Sequence, residues 1–228
     1  MDRATGIIAE IASRSDEAIL FHSASGKDSI ALLDLMAPHF RRVVCVYMYI
    51  VKDLQHINRY IRYAKQRYPN VEFVQVPHFA RYNYLKTGYM GCECDPKQRQ
   101  KTLAQITDAV RGRYGIEWAF FGFKKADGLN RRVMLQRYDK EAICEKSHKC
   151  YPLSSYKNGD VLAYIDQKGL IRPERYGKGA SSGTDISDPE YLAFLRDNFP
   201  GDLQKVFREF PMTERILFEY AYANDENQ

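Results

Sequence analysis

The stretch Phe21-His22-Ser23-Ala24-Ser25-Gly26-Lys27-Asp28-Ser29 constrains this chain more than any other. It follows the apolar run Ala18-Ile19-Leu20 and precedes the helical run Ile30 to Met36, so it reads as strand, small-residue turn, helix. Such a turn aims several backbone N–H groups at one spot, with the positive end of the following helix behind it. It is suited to hold a phosphate or pyrophosphate. The mononucleotide P-loop requires Gly at position 21 and Ser or Thr at 28; Phe21 and Asp28 stand there instead.

Around this turn the hydrophobic pattern alternates. Residues 6–14 read as a helix with Ile7, Ile8 and Ile11 on one face, and Ala18 to His22 as the first strand. Arg42 to Val51 is the β-branched and aromatic run of a strand buried on both faces of a parallel sheet. Asp53 to Tyr68 reads as an amphipathic helix with a basic outer face, and Val71 to Val76 as a third strand. Asp95-Pro96 supplies an N-cap and a first-turn proline for a helix running to Tyr114, and Glu117 to Phe123 reads as the fourth strand. This alternation implies a parallel sheet with right-handed crossovers and helices on both faces. Ligands of such sheets sit beyond the carboxyl ends of the strands, where the Ser23 loop and a loop beginning at Gly122 emerge.

The expected architecture is a doubly wound, mostly parallel α/β domain over residues 1–185, with a helical C-terminal extension over 186–228. The extension reads as helices at Glu190 to Asn198, Gly201 to Phe210 and Thr213 to Tyr222. Its Tyr and Phe residues fit core packing, and a homo-oligomer contact is the alternative. No apolar stretch approaches the roughly 20 residues of a membrane span, and no secretion signal is read at Met1 to Thr5, so the expectation is a cytoplasmic protein. The formal net charge is +5, and the segment from Asp197 onward holds seven acids against three bases, which leaves about +9 before it. That balance suits polyanionic ligands, nucleotide or nucleic acid. Five cysteines, an odd number, argue against a disulfide framework.

Ser23 to Ser29 resembles the Ser-x-Gly-Gly-Lys-Asp-Ser signature of the PP-loop (N-type) ATP pyrophosphatases, with Ser25 in place of the first Gly. Within that superfamily the chain is most similar to the phosphoadenylyl-sulfate (PAPS) reductase group. Gly122 to Arg132 resembles the family's Gly-x-Arg-x-x-(Asp/Glu)-Ser-x-x-Arg segment, with Lys124 for the usual Arg and Gly128 for the usual Ser. Tyr151 to Ile165 resembles its Pro-Leu-x-x-Trp-x-x-x-Asp-Val-Trp-x-Tyr-Ile segment, with Tyr156 and Leu162 for the tryptophans. Leu170 to Gly179 takes the place of a later Ile-Pro stretch. The three segments are collinear and correctly spaced, and the resemblance implies an adenine nucleotide alpha-hydrolase-like, Rossmann-like fold.

The resemblance implies that ATP is cleaved between its α- and β-phosphates, with Mg²⁺ and a positive side chain offsetting charge on pyrophosphate, to adenylate an acceptor or support sulfur transfer. Ser23, Ser25, Gly26, Lys27, Ser29, Gly122 and Arg132 would bind the nucleotide, and Lys27, Asp28, Lys124, Asp127 and Arg131 would carry the chemistry. The acceptor is left as a small molecule or a nucleic acid. One alternative is a PAPS or APS (adenylyl-sulfate) reductase, whose attacking cysteine lies in a Glu-Cys-Gly-(Ile/Leu)-His tail; no cysteine follows Cys150 here. Another is a nucleotide or nucleic-acid binding module without turnover. Cys92 and Cys94 stand where related reductases carry a cluster-binding Cys pair, and with Cys144 and Cys150 they form a candidate set for a [4Fe–4S] cluster or Zn²⁺. His22 adjoins the first loop, where contact with phosphate is one reading and a packed core residue the favoured one.

Overall fold

A computed structural model describes residues 1–174 and 185–225. In chain order the elements are α1 (Asp2–Ala12), β1 (Glu17–Phe21), α2 (Lys27–Met36), β2 (Arg42–Tyr49), α3 (Gln55–Arg67), β3 (Val71–Pro77), α4 (Phe79–Thr87) and α5 (Leu103–Tyr114). They continue with β4 (Ala119–Phe121), α6 (Leu129–Leu135), β5 (Ile143–Cys144), β6 (Lys149–Cys150), α7 (Asn158–Gln167), α8 (Pro189–Asn198), α9 (Pro200–Glu209) and α10 (Thr213–Asp225). Arg175 to Gly179 of the last matched stretch lie outside the described residues.

The chain divides into two compact units: Met1–Met48 with Tyr60–Val76 and Ala104–Pro173, and Tyr49–Arg59 with Pro77–Leu103 and Glu174–Gln228. The C-terminal segment therefore groups with two inner segments, whereas the sequence reading set it apart as an extension. That grouping was not legible because the inner segments carry no composition change.

The first unit contains the sheet, ordered β3-β2-β1-β4-β6-β5. Strand β1 pairs in parallel with β2 and β4, and β4 with β6; β5 runs antiparallel to β6 at the edge. The first three strands step outward one way from β1 and the later ones the other way. The order thus reverses between β1 and β4, and the crevice at their carboxyl ends is the place where such sheets bind ligands. Strand β1 is buried nearly end to end, and Leu20, Leu32, Leu33, Val43, Trp118 and Phe120 belong to one hydrophobic cluster. Ile7, Ile8 and Ile11 of α1 join that cluster, as their helical spacing predicts.

The second unit is helical. Asp202 of α9 is 2% exposed, and its carboxylate accepts the N–H groups of Gln55 (2.8 Å) and His56 (2.9 Å) at the start of α3. The His56 ring lies against Tyr191, Phe194 and Phe199. The helix expected to start at Asp95-Pro96 begins instead at Leu103. Asp95 does act as a local acceptor, taking the Lys97 N–H at 3.0 Å, but this closes only a turn. Helix α4 was not expected; His78 caps it, its Nδ1 accepting the Ala80 N–H at 3.1 Å.

Candidate nucleotide site

Strand β1 carries the chain into the first loop with its pairing intact, since the His22 N–H still donates to the Val46 carbonyl at 2.9 Å. The chain then reverses. Ala24 has φ +52°, a left-handed conformation that side-chain-bearing residues seldom adopt. The Ser23 N–H donates to Ser29 Oγ at 3.0 Å and the two hydroxyls lie 3.0 Å apart, which ties the turn to the first turn of α2. Gly26 is required by space, because a Cβ there would lie 2.2 Å from Ser23 Oγ. Ser25 and Ser29 are buried, and Lys27 and Asp28 open α2.

The second loop follows β4 and meets the first. A Cβ on Gly122 would come within 3.0 Å of Asp28 Cβ, so glycine permits the approach. Beyond it Lys124 is fully buried, with Nζ 2.7 Å from Asp28 Oδ2 and 3.0 Å from Asp127 Oδ1. Lys27 Nζ reaches the same Asp28 oxygen at 2.9 Å. A line of alternating charge results: Lys27, Asp28, Lys124, Asp127. A buried ammonium is tolerated only when paired, and this one has two carboxylates. The Lys124 N–H also donates to Asp127 Oδ2 at 2.8 Å. The third matched segment joins here as well, the Ser154 carbonyl accepting the Lys125 N–H at 2.8 Å.

Thus Ser23, Ser25, Gly26, Lys27, Asp28, Ser29, Gly122, Lys124 and Asp127 converge, although they come from two distant stretches. Lys124 differs from the sequence expectation in how it could act. Buried between two carboxylates, it holds the loops to each other and does not face a ligand in this conformation. Arg131 stacks on Phe123, its guanidinium carbon 3.2 Å from the ring centroid, and burial lowers its pKa despite Asp127 nearby. Arg132 is exposed on α6.

Cys144 and Cys150 do not share a site. In the antiparallel β5–β6 pair Cys150 stands opposite Ile143 and Cys144 opposite Lys149, so the two thiols face opposite sides of the sheet. Cys150 is fully buried in the core, which pushes its thiol well above its ordinary range. Cys144 Sγ accepts a hydrogen bond from the Ser147 hydroxyl at 3.1 Å. Cys92 and Cys94 belong to the second unit, where their thiols donate to the Tyr84 and Lys86 carbonyls at the end of α4. Among the described residues no three His, Cys, Asp or Glu side chains are grouped to hold a metal. Within the first unit, Cys144 and Cys150 do not converge on one metal. Mg²⁺ is a different case: Asp28 Oδ1 is buried without a protein partner and offers one hard oxygen to an ion otherwise held by phosphates and water.

A switch-point crevice, a small-residue turn on a helix N-terminus and a second loop clasped to it define an adenine nucleotide alpha-hydrolase-like, PP-loop protein. More narrowly, the model of the phosphoadenosine phosphosulfate reductase domain matches residues 18–192, and the chain belongs to that family. Among solved structures it is similar to the NH3-dependent NAD synthetase from Campylobacter jejuni in complex with a nitrate ion. That similarity has 14% identity, a TM-score of 0.50, and coverage of 92% of this chain and 91% of that one. It is also similar to the U34-tRNA thiolase NcsA from Methanococcus maripaludis with its [4Fe-4S] cluster, at 14% identity and a TM-score of 0.48, covering 95% of this chain and 78% of that one. No curated protein sequence matches. Among the described residues no helix is long and apolar enough to cross a membrane.

His22 is packed in the core, as its position suggested, and it also does something the sequence did not show. His22 is 3% exposed and its Nδ1 accepts the Ala24 N–H at 2.9 Å, which makes it part of the loop's framework. The signal available was its position directly between the strand and the small residues.

Proposed function

We propose that this protein is an ATP-using enzyme that cleaves ATP at the α–β bond and adenylates an acceptor, or supports sulfur transfer to it. The observation that carries this reading is the clasp of the two loops at the carboxyl ends of β1 and β4, through Gly122 on Asp28 and Lys124 between Asp28 and Asp127. It fixes an amide-lined turn where a pyrophosphate would lie. Ser23, Ser25, Gly26 and Ser29 hold the β- and γ-phosphates, and Lys27 offsets charge on the departing pyrophosphate. Mg²⁺, anchored by Asp28 through Oδ1, would supply further charge compensation when bound. Lys124 holds the Asp28 carboxylate in place between the loops.

Two of the three thiols of the first unit favour ATP over a sulfonucleotide, the third, Cys144, being half-buried. Cys45 and Cys150 are wholly buried and burial raises both pKa values, so neither is poised as a nucleophile toward sulfur. Incubation with ATP and candidate acceptors tests the reading by product identity, with adenylated acceptor or AMP plus pyrophosphate expected. Release of sulfite from a sulfonucleotide in the presence of thioredoxin would replace this reading with the reductase one.

A further inference from the structure

We propose that His22 is the residue that sets the shape of the phosphate loop, its Nδ1 holding the Ala24 N–H and so keeping Ala24 in the left-handed conformation on which the turn depends. The inference rests on reading Ser23 to Ser29 as the phosphate loop. The imidazole is firmly placed: its backbone N–H pairs with the Val46 carbonyl, and its ring meets the edge of Phe73 with centroids 5.3 Å apart. From that fixed point Nδ1 reaches forward two residues to Ala24. Because Nδ1 accepts, the ring is neutral and its proton is on Nε2. Burial holds the pKa near 3, so the acceptor persists across the physiological range.

Two further observations favour this role over plain core packing. Nε2 is buried without a protein partner and lines a small cavity with Tyr63, whose hydroxyl is likewise unpartnered. Among the described residues the ring's hydrogen bonding is therefore spent on the loop amide. Secondly, His78 shows that a histidine Nδ1 in this chain can hold the N–H two residues on, accepting from Ala80 at 3.1 Å; there the acceptor caps helix α4, whereas at His22 it holds a left-handed residue. Ala24 itself is strained, since an L-residue in the left-handed region costs about 1–2 kcal/mol and such places usually hold glycine. Ala24 occupies this one, so something must compensate it.

Three variants separate the pin from mere bulk. H22N places its Oδ1 where Nδ1 stands, H22L fills the space without an acceptor, and the double variant H22L/A24G removes the strain that the pin offsets. By calorimetry, H22L should weaken ATP binding about 10-fold and H22N less than about 3-fold, with H22L/A24G recovering most of the loss; these are the fold-changes expected of about 1–2 kcal/mol of strain. Equal losses in H22L and H22N with no recovery from A24G would overturn the proposal. A crystal structure of H22N and a ring ¹⁵N spectrum of the unmodified protein give a second readout. Ala24 should keep its positive φ in H22N, and Nδ1 should show the shift of a hydrogen-bonded, unprotonated nitrogen. A protonated Nδ1 would refute the pin even if H22L failed to fold. Should the unmodified protein not bind ATP, the phosphate-loop reading fails, whereas the spectrum still decides whether His22 holds Ala24.

Discussion

At the scale of single residues the site is a set of close approaches that only certain side chains permit. Lys27 stands half-buried at the head of α2, whereas the buried Ser29 hydroxyl also holds the Ser23 N–H. Lys27→Ala should therefore weaken ATP binding by about 1–3 kcal/mol, the scale of a charged hydrogen bond, with little change in the thermal midpoint. Ser29→Ala should weaken it while also lowering the midpoint, because the Ser23 N–H loses its acceptor. Unchanged affinity in calorimetry would remove these residues from the site. Gly122→Ala acts differently, because the added methyl meets Asp28 Cβ at 3.0 Å in packed backbone. The two loops must part, and ATP affinity should fall together with stability. Lys124→Met leaves Asp127 without its buried cation; removing one partner of a buried pair costs roughly 3–5 kcal/mol. Partial exposure of both carboxylates and the surviving Lys27 contact reduce that to about 2 kcal/mol. Lys124→Arg is not a neutral exchange, since a planar guanidinium fork would replace a compact ammonium between the two carboxylates.

Individual elements show which local signals hold and which are overridden. Asp202 joins α9 to the start of α3 through two backbone N–H groups and the His56 ring. Burial alone would raise its pKa, but hydrogen bonds from His56 and the Gln55 and His56 amides outweigh this and lower it. A lowered acid contributes stability above its unfolded pKa, ordinarily 3.8, and loses it as pH falls through the folded value. Asp202→Ala should cost about 2–4 kcal/mol at neutral pH and flatten acid unfolding below pH ~4; an unaltered acid limb would refute the assignment. The parallel strands and the loop–helix junction at Ser23 to Ser29 were legible because they rest on continuous apolar runs and small residues in a row. Helix α4 was not, because its cap is a histidine whose role as acceptor depends on burial. Strands β5 and β6 pair only two residues each, below the length at which alternation has meaning. Cysteine spacing likewise says nothing about which side of a strand a thiol takes, as Cys144 and Cys150 show.

On the scale of the whole molecule, the segments Ser23 to Ser29, Gly122 to Arg132 and Tyr151 to Ile165 fall in the unit that contains the sheet, while the C-terminal part of the second unit was read only as helical. What the sequence could not convey was how the two loops meet, because Gly122 and Asp28 are brought together only by the order of strands. On the proposed reading the turn after β1 holds the outer phosphates and the inner bond breaks, with pyrophosphate leaving. Closing the site and expelling water needs the acceptor, so ATP alone is expected to turn over slowly. The decisive measurement is therefore product identity by ³¹P NMR after long incubation of the intact protein with ATP, Mg²⁺ and pools of small-molecule or nucleic-acid acceptors. The account predicts pyrophosphate with AMP or an adenylated acceptor, and ADP with inorganic phosphate as the only products would contradict it.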